Sequence, residues 1–302
     1  MKDLYKVSVV VATYRREYEL RRALKSLAEQ SFSDFEIVLV DDNNVPEWNA
    51  KVEKIVTEFK TLHADISLTY LQNHPNLGSA SARNVGIEVA KGTYITFLDD
   101  DDLYMPEKIS AQYEFMESQN LDFSVTDLDL YYDDGTLSEH RTRPYITQTD
   151  PEFLLKCHMM YHLTGTDTMM FAKSYLKKIE GFMPIDVGDE FYLVVRGING
   201  GGSFGYLKRC DVIAYVHRGE GGLSSGQGKI DGENQLYQYK KDFFSQLDKK
   251  SIRYIKMRHH AVLAFAYLRM KRILPFIVEA VASLVSSPIA CVKLFVMRKK
   301  HS

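Results

Sequence analysis

Residues 92–105, Gly-Thr-Tyr-Ile-Thr-Phe-Leu-Asp-Asp-Asp-Asp-Leu-Tyr-Met, decide the fold. The first half is uncharged and rich in β-branched and aromatic residues, the composition of a strand buried on both faces. The second half is an unbroken acidic run, Asp99-Asp100-Asp101-Asp102. Neighbouring carboxylates repel one another, and at a strand end they persist most readily around a divalent cation. Their hard oxygen ligands suit Mn²⁺ or Mg²⁺, ions usually shared with substrate phosphates. A solvated turn with Asp102 capping the next helix is the plainer alternative. An EF-hand is excluded: counted from Asp99, the positions that need Gly and Glu hold Tyr104 and Ser110.

Upstream, short apolar runs alternate with helical patterns. Lys6–Thr13 reads as a strand, and residues 18–30 place Leu20, Ala23, Leu24 and Leu27 at helical spacing. Residues 36–40 are a second strand ending at Asp41-Asp42; residues 47–61 are a helix and 66–71 a third strand. A loop with Pro75 and Gly78 leads into a helix over 79–90, which Gly92 ends. Pro106 is expected at the first turn of the helix after the acidic run. This alternation predicts an α/β fold, a mostly parallel sheet flanked by helices. Ligands then bind beyond the carboxyl ends of the strands, which brings Thr13, Asp41-Asp42 and Asp99–Asp102 to one edge.

Downstream the pattern is less regular. Asp133-Asp134-Gly135 is a hairpin turn between strands at 123–132 and 137–143. Residues 153–158 and 189–197 read as helices, 168–172 and 212–217 as strands, and the glycine-rich 218–230 as a loop. Gly200 to Gly205 formally fits a dinucleotide fingerprint, but it follows a helix instead of a strand and reads as a helix stop.

Bulk properties narrow the classes. The three cysteines, Cys157, Cys210 and Cys291, form no CxxC pair, which argues against a zinc site or disulfide framework and fits a reduced compartment. The opening MKDLYKVSVVVATYRR reads as a buried strand, not a signal peptide. The formal net charge of −2 conceals an imbalance: residues 251–302 hold ten Lys/Arg against Glu279 alone, +9, which leaves −11 on the rest. Such a tail expects an anionic partner, a membrane surface and not nucleic acid. Residues 273–297 are strongly apolar but interrupted by Pro275, Glu279, Pro288 and Lys293. They either span a bilayer or lie on it, and an interfacial helical hairpin is the preferred reading. The expected division is 1–230 for catalysis and 231–302 for a helical, membrane-associating extension.

Two strings, VSVVVATYRREYELRRALKSLAEQSFSDFEIVLVDDNN and NLGSASARNVGIEVAKGTYITFLDDDDLYMPEKI, resemble the family 2 glycosyltransferases with the GT-A fold, of the bacterial cell-surface polysaccharide type. The resemblance covers roughly residues 5–220 and is strongest over the first 120. It implies transfer of a sugar, with inversion, from a nucleotide diphosphate donor of the UDP-sugar kind to a hydroxyl of a growing, lipid-linked glycan. A cytoplasmic enzyme, peripheral at the inner face of the membrane, is expected. By the same resemblance Ala12, Thr13 and Tyr14 line the base pocket, Asp42 accepts from the nucleobase, and Arg83 approaches the diphosphate. Asp100 contacts the ribose and Asp101 binds the metal, with Asp99 and Asp102 as the one-residue uncertainty in register. His217 is a further candidate for the metal. The family's acidic pair corresponds to Asp189-Glu190. Arg196, six residues after Glu190, favours Glu190 as the base, whereas the Gly-Asp context favours Asp189. Arg15-Arg16 stand where the family often has Asn after the aromatic residue. A sugar-phosphate nucleotidyltransferase would need a glycine-rich loop after the first strand, where ATYRREYEL stands. A non-catalytic binding protein on the same fold is disfavoured by the intact acidic sites.

Overall fold

The computed structural model describes residues 4–185, 188–216 and 226–299. The chain divides into two compact units, one of residues 1–151 and 163–216, the other of 152–162 and 217–302.

The first unit contains β1 (Tyr5–Thr13), α1 (Tyr18–Ala28), β2 (Phe35–Asp41), α2 (Pro46–Leu62), β3 (Ser67–Gln72), α3 (Ser79–Val89) and β4 (Gly92–Phe97). It continues through β5 (Leu103–Tyr104), α4 (Lys108–Gln119), β6 (Phe123–Tyr132) and β7 (Leu137–Arg141). The helix α5 (Pro151–Tyr161) falls almost wholly in the second unit; β8 (Met169–Ala172), α6 (Lys173–Lys178), α7 (Asp189–Asn199) and β9 (Phe204–Val216) complete the first. The strands form one sheet in the order β3-β2-β1-β4-β8-β6-β9-β5, with β7 on β6. β3, β2, β1 and β4 are mutually parallel, whereas β8 runs antiparallel to both β4 and β6.

Every residue of β2 is buried, as a strand covered on both faces requires. On one face Val7, Val9, Val11, Ile37 and Leu39 pack with Leu20, Leu24 and Leu27 of α1 and Val52, Ile55 and Phe59 of α2. On the other, α3 lies close to β1: a Cβ on Gly86 would sit 2.4 Å from Val10 Cγ1. That close approach sets the position of Arg83, one turn earlier on α3.

Two local expectations change. Pro106 precedes Glu107, the N-cap of α4, and so lies outside the helix. Residues 226–230, read as loop, already belong to α8 (Gly226–Lys241). Isoleucine 230 is the reason: it buries against Leu263 and Ala266. The second unit also holds α9 (Lys249–Arg269), α10 (Ile273–Ser286) and α11 (Pro288–Lys299). Asp248 caps α9 by accepting from Ser251 N at 2.8 Å. The break at Ser287 divides the apolar segment into two short helices, and no helix among the described residues is long and apolar enough to cross a membrane.

Candidate active site

Parallel pairing aligns the carboxyl ends of three strands. Thr13 pairs with Asp41, Asp42 N donates to Thr13 O at 2.9 Å, and Leu98 N donates to Val10 O at 3.1 Å. The acidic run therefore emerges beside the end of β1. The two are joined through Asp100, whose Oδ2 accepts from Thr13 Oγ1 at 2.7 Å and Tyr14 N at 3.2 Å. Tyr14 is 46% exposed, with the Arg15 guanidinium carbon 5.1 Å from its ring centroid.

Arg15 follows in the left-handed region, φ 54°, with its N–H donating to Asn43 Oδ1 at 2.8 Å. This turn aims Arg16 back at the run, where its Nη2 donates to Asp101 Oδ2 at 2.9 Å. The two arginines thus have defined places: one makes the turn, the other holds Asp101.

Asp42 is buried and fully engaged. Oδ1 accepts from Asn73 Nδ2 and Leu77 N, both at 2.9 Å; Oδ2 accepts from Asn76 Nδ2 at 2.8 Å and Gly78 N at 2.9 Å. It organises the loop before α3. Asp41 is buried likewise, bonded to Asn43, Asn49 and Tyr70.

Arg83 is 8% exposed and spans two carboxylates distant in sequence. Its Nη2 donates to Asp99 Oδ1 at 2.6 Å and its Nη1 to Asp189 Oδ2 at 2.8 Å. The planar guanidinium presents its donors in a fixed fork, which suits two carboxylates at once. The acidic run and the Asp189-Glu190 pair therefore form one site. Removing one partner of a buried pair leaves an uncompensated charge, at a cost of about 3–5 kcal/mol.

Asp102 is buried and does not cap α4; Oδ1 accepts from Tyr215 N in β9 at 2.9 Å. Beside it stands Asp167, which sequence reasoning did not single out. Its Oδ1 accepts from Asp99 N at 2.6 Å. Asp167 lies in a 3₁₀ turn, Thr166–Thr168, entered through Gly165 at φ 116°, just before β8. Because β8 is antiparallel to β4, its amino end reaches the edge where the parallel strands end. An acidic residue before an apolar strand was the available signal, but it counts only once that strand's direction is known.

Ligand oxygens of Asp99, Asp102 and Asp167 lie within 4.8 Å of one another. Burial first, then Asp101, pushes the Asp100 carboxyl up to about 7. Burial first, then Asp99, does the same to Asp167, and burial with Asp167 raises Asp102 well above the usual range. An all-carboxylate donor set held against its own repulsion fits Mg²⁺ or Mn²⁺. Beneath it, buried Lys108 donates to Tyr104 OH at 2.7 Å, and Tyr104 OH donates to Asp167 O at 3.1 Å.

Asp189 and Glu190 open α7 yet differ. Asp189 is buried in its ion pair with Arg83; burial raises its pKa and Arg83 opposes that. Glu190 is half-buried and bonded to Thr166 Oγ1 at 3.2 Å. Burial, then Asp189 and Asp99, pushes Glu190 up to about 7, where a general base is most effective near neutral pH. Arg196 binds the backbone instead, donating to Glu180 O at 3.0 Å and Gly181 O at 3.2 Å. His217, and residues 218–225 of the glycine-rich loop, lie outside the described residues.

The family model described as Glycosyl transferase family 2 matches residues 8–179. An uncharacterized glycosyltransferase of Methanocaldococcus jannaschii is 32% identical over 178 residues, 58% of this chain and 58% of the relative. The chain thus matches little more than half the length of that relative. WfaP of Escherichia coli, a UDP-Glc:alpha-D-GlcNAc-diphosphoundecaprenol beta-1,3-glucosyltransferase, is 32% identical over 40% of this chain and 45% of its own. Among solved structures, the mannosyltransferase PcManGT of Pyrobaculum calidifontis, in complex with GDP-Man and Mn²⁺, aligns with TM-score 0.59 and 16% identity over 97% of this chain and 79% of that one.

Proposed function

Since this chain belongs to glycosyl transferase family 2 and has the GT-A fold, we propose that it transfers a sugar, with inversion, from a nucleotide diphosphate donor to an acceptor hydroxyl. The observation that carries this reading is the Arg83 bridge between Asp99 and Asp189. It sets a carboxylate with a pKa near 7, Glu190, beside the acidic end of β4.

The nucleotide would occupy the edge formed by Ala12, Thr13 and Tyr14, with its base beside Tyr14. Asp42 would act there chiefly by fixing residues 73–78. Asp100 would contact the ribose, locked in place by Thr13. Asp101 would hold a divalent cation, supported by Asp99 and with Asp102 and Asp167 buried behind. When bound, Mn²⁺ or Mg²⁺ neutralises charge on a departing diphosphate. Glu190 takes the proton from the acceptor hydroxyl as its oxygen bonds to the anomeric carbon. The bond from that carbon to the diphosphate breaks, and its electron pair leaves with the nucleotide. Asp189 keeps Arg83 in place and leaves Glu190 as the base.

We assign catalysis to residues 1–230 and attachment to 231–302. WfaP is named for a UDP-sugar donor and a diphosphoundecaprenol-linked acceptor; by analogy the donor is a UDP-sugar and the acceptor a lipid-linked cell-surface glycan met at the cytoplasmic membrane face. Turnover of UDP- and GDP-sugars with and without Mn²⁺ tests the activity, and no turnover of any donor sinks it. Mn²⁺ titration of Asp101→Asn and Asp167→Asn tests the ion's ligands. Unchanged Mn²⁺ affinity in Asp101→Asn would refute its assignment.

A further inference from the structure

α10 turns the usual amphipathic order inside out. Its exposed residues are Ile273, Leu274, Ile277, Val278, Val281, Leu284 and Val285, all aliphatic, at 45–79% exposure. They recur every three or four positions and so form one stripe. The less exposed face carries the small and polar residues Glu279, Ala280, Ala282, Ser283 and Ser286, together with Pro275 and Phe276. Ser283 is buried and donates to Met257 O of α9 at 2.9 Å, and Glu279, the helix's single charge, lies 2.7 Å from His260 Nδ1. The stripe continues onto α11 with Ile289 and Val292, 86% and 56% exposed. A soluble surface does not carry so continuous an apolar face without something to cover it.

We propose that this face inserts into the interface of an anionic lipid bilayer, with α10 lying in the membrane plane. Length excludes a span: 14 residues at about 1.5 Å each reach roughly 21 Å, against about 30 Å of hydrocarbon. Charge selects the lipid. Arg269, Lys271 and Arg272 are exposed at the amino end of the stripe and Lys293 near its other end. From residue 249 onward Glu279 is the only acidic residue, and His260 engages it. Aliphatic side chains flanked by cations suit acyl chains beneath anionic headgroups. A second copy of this chain would instead set these cations against cations. The inference rests on the membrane-facing part of the proposed function, but its test needs no sugar transfer.

The full chain is sedimented with vesicles of phosphatidylcholine alone and of phosphatidylcholine mixed with phosphatidylglycerol. Binding to the mixed vesicles, weakened as salt rises, is expected. Leu274→Glu/Val278→Glu/Val285→Glu should lose at least ten-fold in vesicle affinity with an unchanged circular dichroism spectrum. Should the triple variant lose helix signal, the single variants Leu274→Glu and Val285→Glu, at the most exposed positions of α10, carry the test. Lys271→Glu/Arg272→Glu should cost more than five-fold, on the mixed vesicles only. Two results overturn the proposal: no binding of the wild type to mixed vesicles, or a wild-type dimer that the triple variant makes monomeric while neither binds vesicles. Loss of transfer with vesicle binding intact would count against the enzymatic reading alone.

Discussion

β2 and α10 are made of similar residues and meet opposite fates. In β2, Phe-Glu-Ile-Val-Leu-Val-Asp, every position is buried, and even Glu36 accepts from Ser8 Oγ at 2.7 Å. In α10, Ser283 alone is buried while the aliphatic residues face outward. Apolar composition therefore marks the core only where other elements supply cover from both sides. Where they do not, the same residues form a surface whose partner lies outside the chain. Substitutions in the first unit should act on chemistry and stability, and substitutions on the α10 stripe on neither.

The largest effect expected in the first unit is on the rate. Glu190→Gln should lower transfer by about 10²–10⁴-fold while donor binding, followed by calorimetry, stays within a few-fold. Full activity would remove Glu190 as the base, and Asp189→Asn would then be the variant to examine. Arg83→Ala should lower stability by about 3–5 kcal/mol, read as a shift of the denaturant midpoint, because it strands Asp99 and Asp189. Leu39→Ala in β2 should cost about 2–5 kcal/mol in the same measurement. Leu274→Ala on α10 should stay within about 0.5 kcal/mol. A loss comparable to that of Leu39 would erase the contrast between the two elements.

The pH dependence sharpens it further. A base must be ionised to work, so kcat/KM should rise with pH through about 7, the value to which Glu190 is raised. The stability consequence has the opposite sign. A carboxyl raised from 4.5 to about 7 binds more protons in the folded state between those values, so its contribution to stability falls as pH rises across that window. Glu190→Gln should flatten the rate dependence and lessen the fall in stability, of which Asp100 and Asp167, raised to about 7 as well, keep a share; variants on α10 should leave both unchanged.

The sequence by itself determined the alternation of strands and helices, the edge at which the polar residues gather, and which elements carry the acidic groups. These depend on periodicity and on strand ends, which are local properties. The acidic run was legible for the same reason, whereas the pair at Asp189-Glu190 was legible only through the resemblance to the family. Tertiary structure alone decided how they connect. Arg83 meets Asp99 and Asp189 across 16 and 106 residues, because Gly86 lets α3 lie against β1. Asp167 joins the acidic cluster because β8 runs antiparallel. Asp189 and Glu190, adjacent in the chain, differ in surroundings because the buried ion pair with Arg83 claims one and leaves the other half-exposed. The outward face of α10 was decided in the same way. Its sequence is mostly apolar, and packing through Ser283 and Glu279 determines which side is left uncovered.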